Sequence, residues 1–110
     1  MVPTNVRISR AAFPAILKSG QRYHGTFVSA VAISSLSPQI SVVVSKKVAK
    51  SAVDRNRLRR RVYGVAERFI AEASLPATVI FLLKPGALRA TRQVIAAETM
   101  ALLAQITKSR

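Results

Sequence analysis

The chain has 110 residues, half of them apolar. It contains 18 Lys or Arg and only four Asp or Glu, which gives a formal net charge of +14. This length predicts one globular domain over 1–110, and the charge predicts a polyanionic partner, with nucleic acid ahead of an anionic membrane. The absence of cysteine excludes disulfides, zinc–thiolate sites and cysteine nucleophiles, and no uninterrupted apolar run exceeds five residues, whereas a membrane span needs ~20.

The first predicted element is a helix over 9–20. Phe13, Ile16 and Leu17 recur at helical spacing, and a glycine follows as a suitable C-terminal stop. Proline is tolerated only in a first turn, so Pro14 predicts that the helix begins just before it or is bent there. The start of the chain does not resemble a signal peptide.

Two or three strands are predicted next. A short strand over 21–24 turns at Gly25 into a longer one over 26–33, and a loop over 34–38 leads to a strand over 39–45. One face of that last strand is branched and apolar and should meet a core: Ile40, Val42 and Val44. Its other face is mixed and could be open to a ligand: Ser41, Val43 and Ser45.

The longest helical pattern covers 52–73. Its apolar residues share one face, which should dock on the sheet while the arginines stay in water: Leu58, Val62, Val65, Ala66 and Phe69. A strand over 78–83, a turn over 84–86 and a helix capped by Thr91 complete the chain. The order helix, strands, helix, strand, helix predicts an α+β sandwich with helices packed on a small sheet.

No catalytic constellation is present. His24 is the only histidine, and no acidic residue lies near it in sequence to orient it. The four acids form no pair with general acid–base spacing, and there is neither a metal-ligand cluster nor a phosphate-cradling glycine loop. We therefore predict no catalytic side chain, no metal site and no cofactor bound by the protein.

The basic segment that begins at Lys46 is the most informative part of the chain. Half of the 18 basic residues lie within 39–73, and 55–61 hold five arginines and no acid. A solvated helix face normally mixes charge signs, because like charges at these spacings are destabilising. Arginine matches phosphate oxygens with a planar fork of donors, and the amide of Asn56 can bond a 2′-hydroxyl or a base edge. The predicted RNA-binding residues are Lys46, Lys47, Lys50, Arg55, Asn56, Arg57, Arg59, Arg60 and Arg61.

A second, weaker candidate lies near the first helix. Phe13 and Tyr23 stand beside basic residues, an arrangement suited to stacking on unpaired bases. Leu17 and Phe27 are explained at least equally well as core residues.

The order Ser45-Lys46-Lys47, a short turn, then Arg55-Asn56-Arg57-Leu58-Arg59-Arg60 resembles the signature of the bacterial ribonuclease P protein component. The resemblance extends loosely to both ends of the chain. It implies an αβββαβα domain with a four-stranded sheet and a left-handed βαβ crossover, of the ribosomal protein S5 domain 2-like type. General connection rules alone would predict a right-handed crossover.

The resemblance also implies a function, which is removal of the 5′ leader from precursor transfer RNA by a cytoplasmic ribonucleoprotein. Its RNA subunit would hold Mg²⁺ and hydrolyse the phosphodiester, and the basic segment would contact that catalytic RNA. The implied partners are the catalytic RNA and precursor tRNA, with no membrane and no obligate protein partner. A cleft between the first helix and the sheet would bind the leader, lined by Phe13, Leu17, Arg22, Phe27 and Ser45.

Some features depart from the family pattern. The turn after the lysine pair has Ala49-Lys50 where a glycine is common, Leu17 stands where many members have an aromatic residue, and Pro14 is unusual in the first helix. The main alternative is a structural RNA-binding protein, such as a small ribosomal protein. A DNA-binding regulator and a peripheral membrane helix are less favoured, because a strand and basic turn precede the helix and its apolar face is needed for the core.

Overall fold

The computed structural model describes residues 13–36, 38–73, 75 and 77–108. Its elements follow the predicted αβββαβα order. They are α1 (Phe13–Ser19), β1 (Gln21–His24), β2 (Val28–Ser34), β3 (Gln39–Val43), α2 (Ala52–Glu72), β4 (Ala77–Leu83), a 3₁₀ turn (Ala87–Arg89) and α3 (Arg92–Lys108). The predicted beginning of the first helix, before Phe13, lies outside the described residues.

The four strands form one mixed sheet in the order β1-β2-β4-β3. β1 pairs antiparallel with β2, and β2 pairs antiparallel with β4. β3 and β4 are parallel neighbours, so α2 is the crossover that connects them. This arrangement confirms the predicted α+β class.

The hand of the β3–α2–β4 crossover follows from one hydrogen bond. The side chain of Val42 packs in the core shared with α2, whereas its backbone N–H donates to Tyr63 Oη (3.3 Å) at the free edge of β3. When an L-residue in a strand that runs upward has its side chain towards the viewer, its N–H points to the right. β4 therefore lies to the left of β3 behind α2. This crossover is left-handed, the rare hand, as the resemblance implied.

The helices cover the two faces of the sheet unequally. On one face, α2 and α3 enclose the main core, whose fully buried members include Leu58, Val62, Phe81 and Ile95. On the other face, α1 covers a smaller core of Ile16, Val31 and Ile80. β4 contributes to both cores, which explains why it reads as a nearly continuous apolar run.

Gly20 ends α1 because the chain passes very close to β2 there. A Cβ at this position would lie 2.5 Å from Val31 Cγ1 and 2.7 Å from the Ile16 carbonyl oxygen. Only glycine fits such an approach without a shift of the backbone. The predicted stop is thus also the point that seats α1 on the sheet.

A partly buried network fixes the turn between β1 and β2. Glu98 Oε1 on α3 accepts from the backbone N–H groups of Phe27 (2.9 Å) and Val28 (3.1 Å), and Lys84 Nζ donates to the Gly25 carbonyl (2.6 Å). Because Glu98 takes these two N–H groups, β2 begins at Val28 and not at Thr26 as predicted.

The end of β3 also differs from the prediction. β3 ends at Val43, two residues early, because the Ser45 carbonyl turns to accept from Val48 and Ala49.

Within the described ranges, no helix is long and apolar enough to cross a membrane.

Candidate nucleic-acid interface

The turn between β3 and α2 displays lysines on an apolar anchor. The Ser45 carbonyl accepts from the N–H groups of Val48 (3.0 Å) and Ala49 (3.2 Å). Val48 and Ala49 are buried in the main core, whereas the three lysines of the turn, Lys46, Lys47 and Lys50, are exposed. Of the described residues, only Gly86 has a positive φ, so this turn does not require the glycine that is common in the family.

Arg55 holds the turn in place. Its Nη1 donates to the carbonyl oxygens of Ala49 (3.0 Å) and Lys50 (2.8 Å). The Ser51 hydroxyl caps the same helix start by accepting from the Val53 and Asp54 N–H groups. The main role of Arg55 is therefore to hold the turn that carries the lysines, although its spacing in the sequence made it look equivalent to the other arginines.

The next turn of α2 presents side chains to solvent. Arg57 Nη1 lies 3.7 Å from Asp54 Oδ1, and their side chains are 53% and 32% exposed. Arg59 Nη1 donates to Asn56 Oδ1 (3.1 Å). The bond orients the Asn56 side chain through its oxygen, and the amide nitrogen can still donate to a ligand.

Two grooves flank this part of α2. The edge groove has a volume of about 600 Å³ and is lined by Val42, Asn56, Arg59, Arg60 and Tyr63. The interhelical groove lies between α2 and α3, has a volume of about 750 Å³ and includes Arg57, Arg60 and Arg61 in its lining. Arg60 borders both grooves. Five of the predicted RNA-binding residues line one groove or the other: Asn56, Arg57, Arg59, Arg60 and Arg61. Together with the exposed lysines of the preceding turn, they are called the basic ridge.

The predicted leader cleft is only partly assembled. Phe13 and Leu17 are half-buried against the smaller core, and exposed Arg22 joins them by donating from Nη2 to the Leu17 carbonyl (3.4 Å). Ser45 is exposed two residues after Val43, which packs on the same core. Phe13, Leu17 and Arg22 therefore belong to the α1 side of the sheet, and Ser45 follows the end of β3.

Two aromatic candidates lie elsewhere. Phe27 packs against the main core, with its ring beside Gly86, so it does not share a cleft with Phe13. Tyr23 is buried in the main core as well, and its hydroxyl has no hydrogen-bond partner among the described residues. The expectation that Tyr23 is free to stack on a base is therefore wrong, because β1 turns its side chain towards the main core.

The described residues contain no group of three or more His, Cys, Asp or Glu that could hold a metal ion. His24 is exposed on β1, and Glu98 is engaged by two backbone N–H groups. Sequence reasoning missed Arg68 and Arg92, which also line the interhelical groove. Arg68 could have been found by continuing the helical stripe from Arg57, but Arg92 gave no signal because it joins only when α3 packs on α2.

Comparison with known proteins agrees with this architecture. The Ribonuclease P family model matches residues 3–107. The chain is 32% identical over 85 residues to the ribonuclease P protein component of Microcystis aeruginosa, covering 72% of this chain and 71% of that protein. It is 30% identical over 115 positions to the ribonuclease P protein component of Acidothermus cellulolyticus, covering 100% and 95%. The structure of the ribonuclease P protein from Thermotoga maritima matches the fold with a TM-score of 0.81 at 19% identity, over 91% of this chain and 96% of that one.

Proposed function

Because the chain belongs to the ribonuclease P protein family, we propose that it acts as the protein subunit of ribonuclease P in removing the 5′ leader of precursor tRNA. Its partner in that particle is the ribonuclease P RNA. The observation that carries the proposal is the basic ridge, a set of cations held on a rigid helix start and aimed outward. Such a surface suits the phosphate backbone of a folded RNA.

We assign the hydrolysis to the RNA subunit and its Mg²⁺ ions. Two of the four acidic residues already have structural partners: Asp54 lies beside Arg57, and Glu98 accepts from the β1–β2 turn. Among the described residues, no acid forms an ion pair with exposed His24 that would make it a proton shuttle. The protein would then contribute binding, orientation and charge neutralisation.

Docking on the catalytic RNA would use the lysine turn and the exposed side of α2. Lys46, Lys47 and Lys50 supply mobile point charges, and Arg57 and Arg60 supply exposed planar forks. Asn56 could bond a 2′-hydroxyl from the edge groove. Arg55 would act on this contact through the turn that it fixes.

The leader would bind on the α1 side of the sheet. Phe13 offers a half-buried ring for stacking on an unpaired base, and Arg22 offers a nearby cation. Leu17 can provide apolar contact but no stacking. Since α1 and α2 cover opposite faces of the sheet, the protein could hold the leader and the catalytic RNA at the same time.

Reconstitution tests the proposal directly. The purified protein is added to the catalytic RNA of its own organism and precursor tRNA at low Mg²⁺, and 5′ cleavage is followed over time. We expect the protein to restore cleavage that the RNA alone does not perform at that concentration. Tight RNA binding with no effect on cleavage would contradict this proposal and favour a purely structural RNA-binding protein.

A further inference from the structure

The interhelical groove holds a second concentration of positive charge. Five arginines line it, four from α2 and one from the start of α3: Arg57, Arg60, Arg61, Arg68 and Arg92. None of the described residues that line it is acidic. Arg68 and Arg92 lie outside the segment that the family signature covers, so this site extends the basic ridge to a different side of α2.

Arg61 is placed as if for a ligand. Its Nε is buried, yet that atom has no hydrogen-bond partner among the described residues. A buried donor without an acceptor is unfavourable in the free protein, and a shift of the guanidinium towards a phosphate in the groove would give this atom an acceptor.

Gly64 lies in the middle of the same stripe and gives an independent indication. Glycine is the least favourable residue after proline in a helix interior, and Gly64 is at the thirteenth of the 21 positions of α2. A Cβ built there would meet nothing within 4 Å, so packing within the described structure does not require glycine. A bare stretch of helix surface at the floor of an arginine groove allows another backbone to approach closely.

The dimensions fit a nucleic-acid strand. Arg57 and Arg68 are 11 residues apart, which is about 16 Å along the helix axis. Phosphates recur every few Å along a strand of a duplex, so this stripe can meet several of them in succession. Arg92 faces the stripe from α3 and closes the groove on its second side.

We propose that the interhelical groove binds a phosphodiester segment of the catalytic RNA distinct from the one at the edge groove, with Arg68 and Arg92 as further binding residues. Gly64 is the point at which the RNA backbone approaches α2. The inference rests on the proposed function, because it takes the ribonuclease P RNA as the occupant. That RNA is favoured over precursor tRNA because Arg60 joins this groove to the edge groove, whereas the proposed leader face is across the sheet.

Charge removal gives the first test. Arg92→Ala is compared with Lys108→Ala, a matched loss of an exposed cation at the far end of α3. Binding of each full-length variant to the catalytic RNA is measured over a series of salt concentrations. We expect Arg92→Ala to lower the log–log salt slope by about 0.7 to 0.9, as for one lost phosphate contact, and Lys108→Ala to leave it unchanged. Equal slopes for the two variants would overturn the inference.

Gly64→Ala gives the second and sharper test, because its two expected effects have opposite signs. The methyl group meets no atom of the protein, so helix propensity should raise the Tm of the free protein by roughly 2–8 °C. The same methyl should obstruct the RNA backbone and weaken binding several-fold, and Gly64→Gln should weaken it further. A more stable variant that binds the catalytic RNA as tightly as the wild type would refute close approach at Gly64.

Failure of this inference and failure of the proposed function are distinguishable. If the wild-type protein neither binds the catalytic RNA nor promotes cleavage, the proposed function is wrong. If the wild type does both, Asn56→Ala weakens binding and the Gly64 and Arg92 variants behave as wild type, only the interhelical site is wrong. If the Arg92 variant weakens binding of isolated precursor tRNA and leaves binding of the catalytic RNA intact, the assigned occupant is wrong.

Discussion

Replacing Arg55 by alanine separates the positioning of the basic turn from direct RNA contact. The substitution removes two hydrogen bonds from a charged donor to the Ala49 and Lys50 carbonyls, at 3.0 and 2.8 Å. A hydrogen bond to a charged group contributes about 1.5–3 kcal/mol when shielded from water, but the bond to Lys50 is exposed. Relief of repulsion from Arg59, one helical turn away, returns about 0.2–0.5 kcal/mol. We expect a net loss of about 1–2 kcal/mol in the free energy of unfolding.

Arg57→Ala is the matched control on the same helix. Arg57 makes an exposed ion pair with Asp54 at 3.7 Å, and such pairs contribute well under 1 kcal/mol. Urea denaturation should therefore separate the two variants, with a lower midpoint for Arg55→Ala only. In RNA titrations, Arg57→Ala should lower the log–log slope of affinity against salt concentration by about 0.9, as for one lost phosphate contact.

The reasoning about Arg55 would be refuted by an unchanged urea midpoint for Arg55→Ala. Arg55→Lys adds a further check, because it keeps the charge but replaces the fork by a single ammonium. If stability depends on the fork, Arg55→Lys recovers only part of the loss. Full recovery would mean that charge alone stabilises this turn.

The remaining predictions concern both cores. Glu98→Ala leaves two N–H groups of the β1–β2 turn without their acceptor and should lower the free energy of unfolding by about 2 kcal/mol, whereas Glu98→Gln keeps an oxygen and should lose less; equal losses in urea denaturation would contradict this. Tyr23→Phe removes a buried hydroxyl that lacks a described partner, so stability should be unchanged or higher by up to about 1 kcal/mol; a clear loss would reveal an acceptor. Phe13→Ala should weaken holoenzyme binding of precursor tRNA more than binding of mature tRNA, while affinity for the catalytic RNA is unchanged. Equal weakening of binding to all three RNAs would mean that Phe13 is a core residue only.

Local signals in the sequence were sufficient for most of the fold. β1 was predicted with its observed bounds, because a glycine on each side defines it. The apolar face of α2 was predicted correctly as well, since Leu58, Val62, Val65 and Ala66 are all buried. The left-handed crossover could not be obtained in this way, because it depends on which edge of β3 receives β4, and no local pattern encodes that choice.

The site was harder to predict than the fold for the same physical reason. In sequence, Arg55 and Arg57 are two equivalent cations, and only the path of the turn shows that Arg55 is committed to its carbonyls. The family resemblance grouped Phe27 with Phe13 and Leu17, but Phe27 lies outside β2, where strict alternation of faces no longer applies. Hydrophobic periodicity predicts which face a residue occupies within a helix or strand, but it does not predict the orientation of residues beyond the ends of that element.

The Tyr63 hydroxyl on the N–H of Val42 has a consequence for behaviour in concentrated solution. An outer strand with free amides is a template on which a foreign chain can extend the sheet, the first step towards amyloid-like aggregation. At β3 one of those amides is already taken by a phenol from the crossover helix, and arginines stand beside it. Tyr63, which lines the edge groove, thus also removes one pairing position from the edge of the sheet.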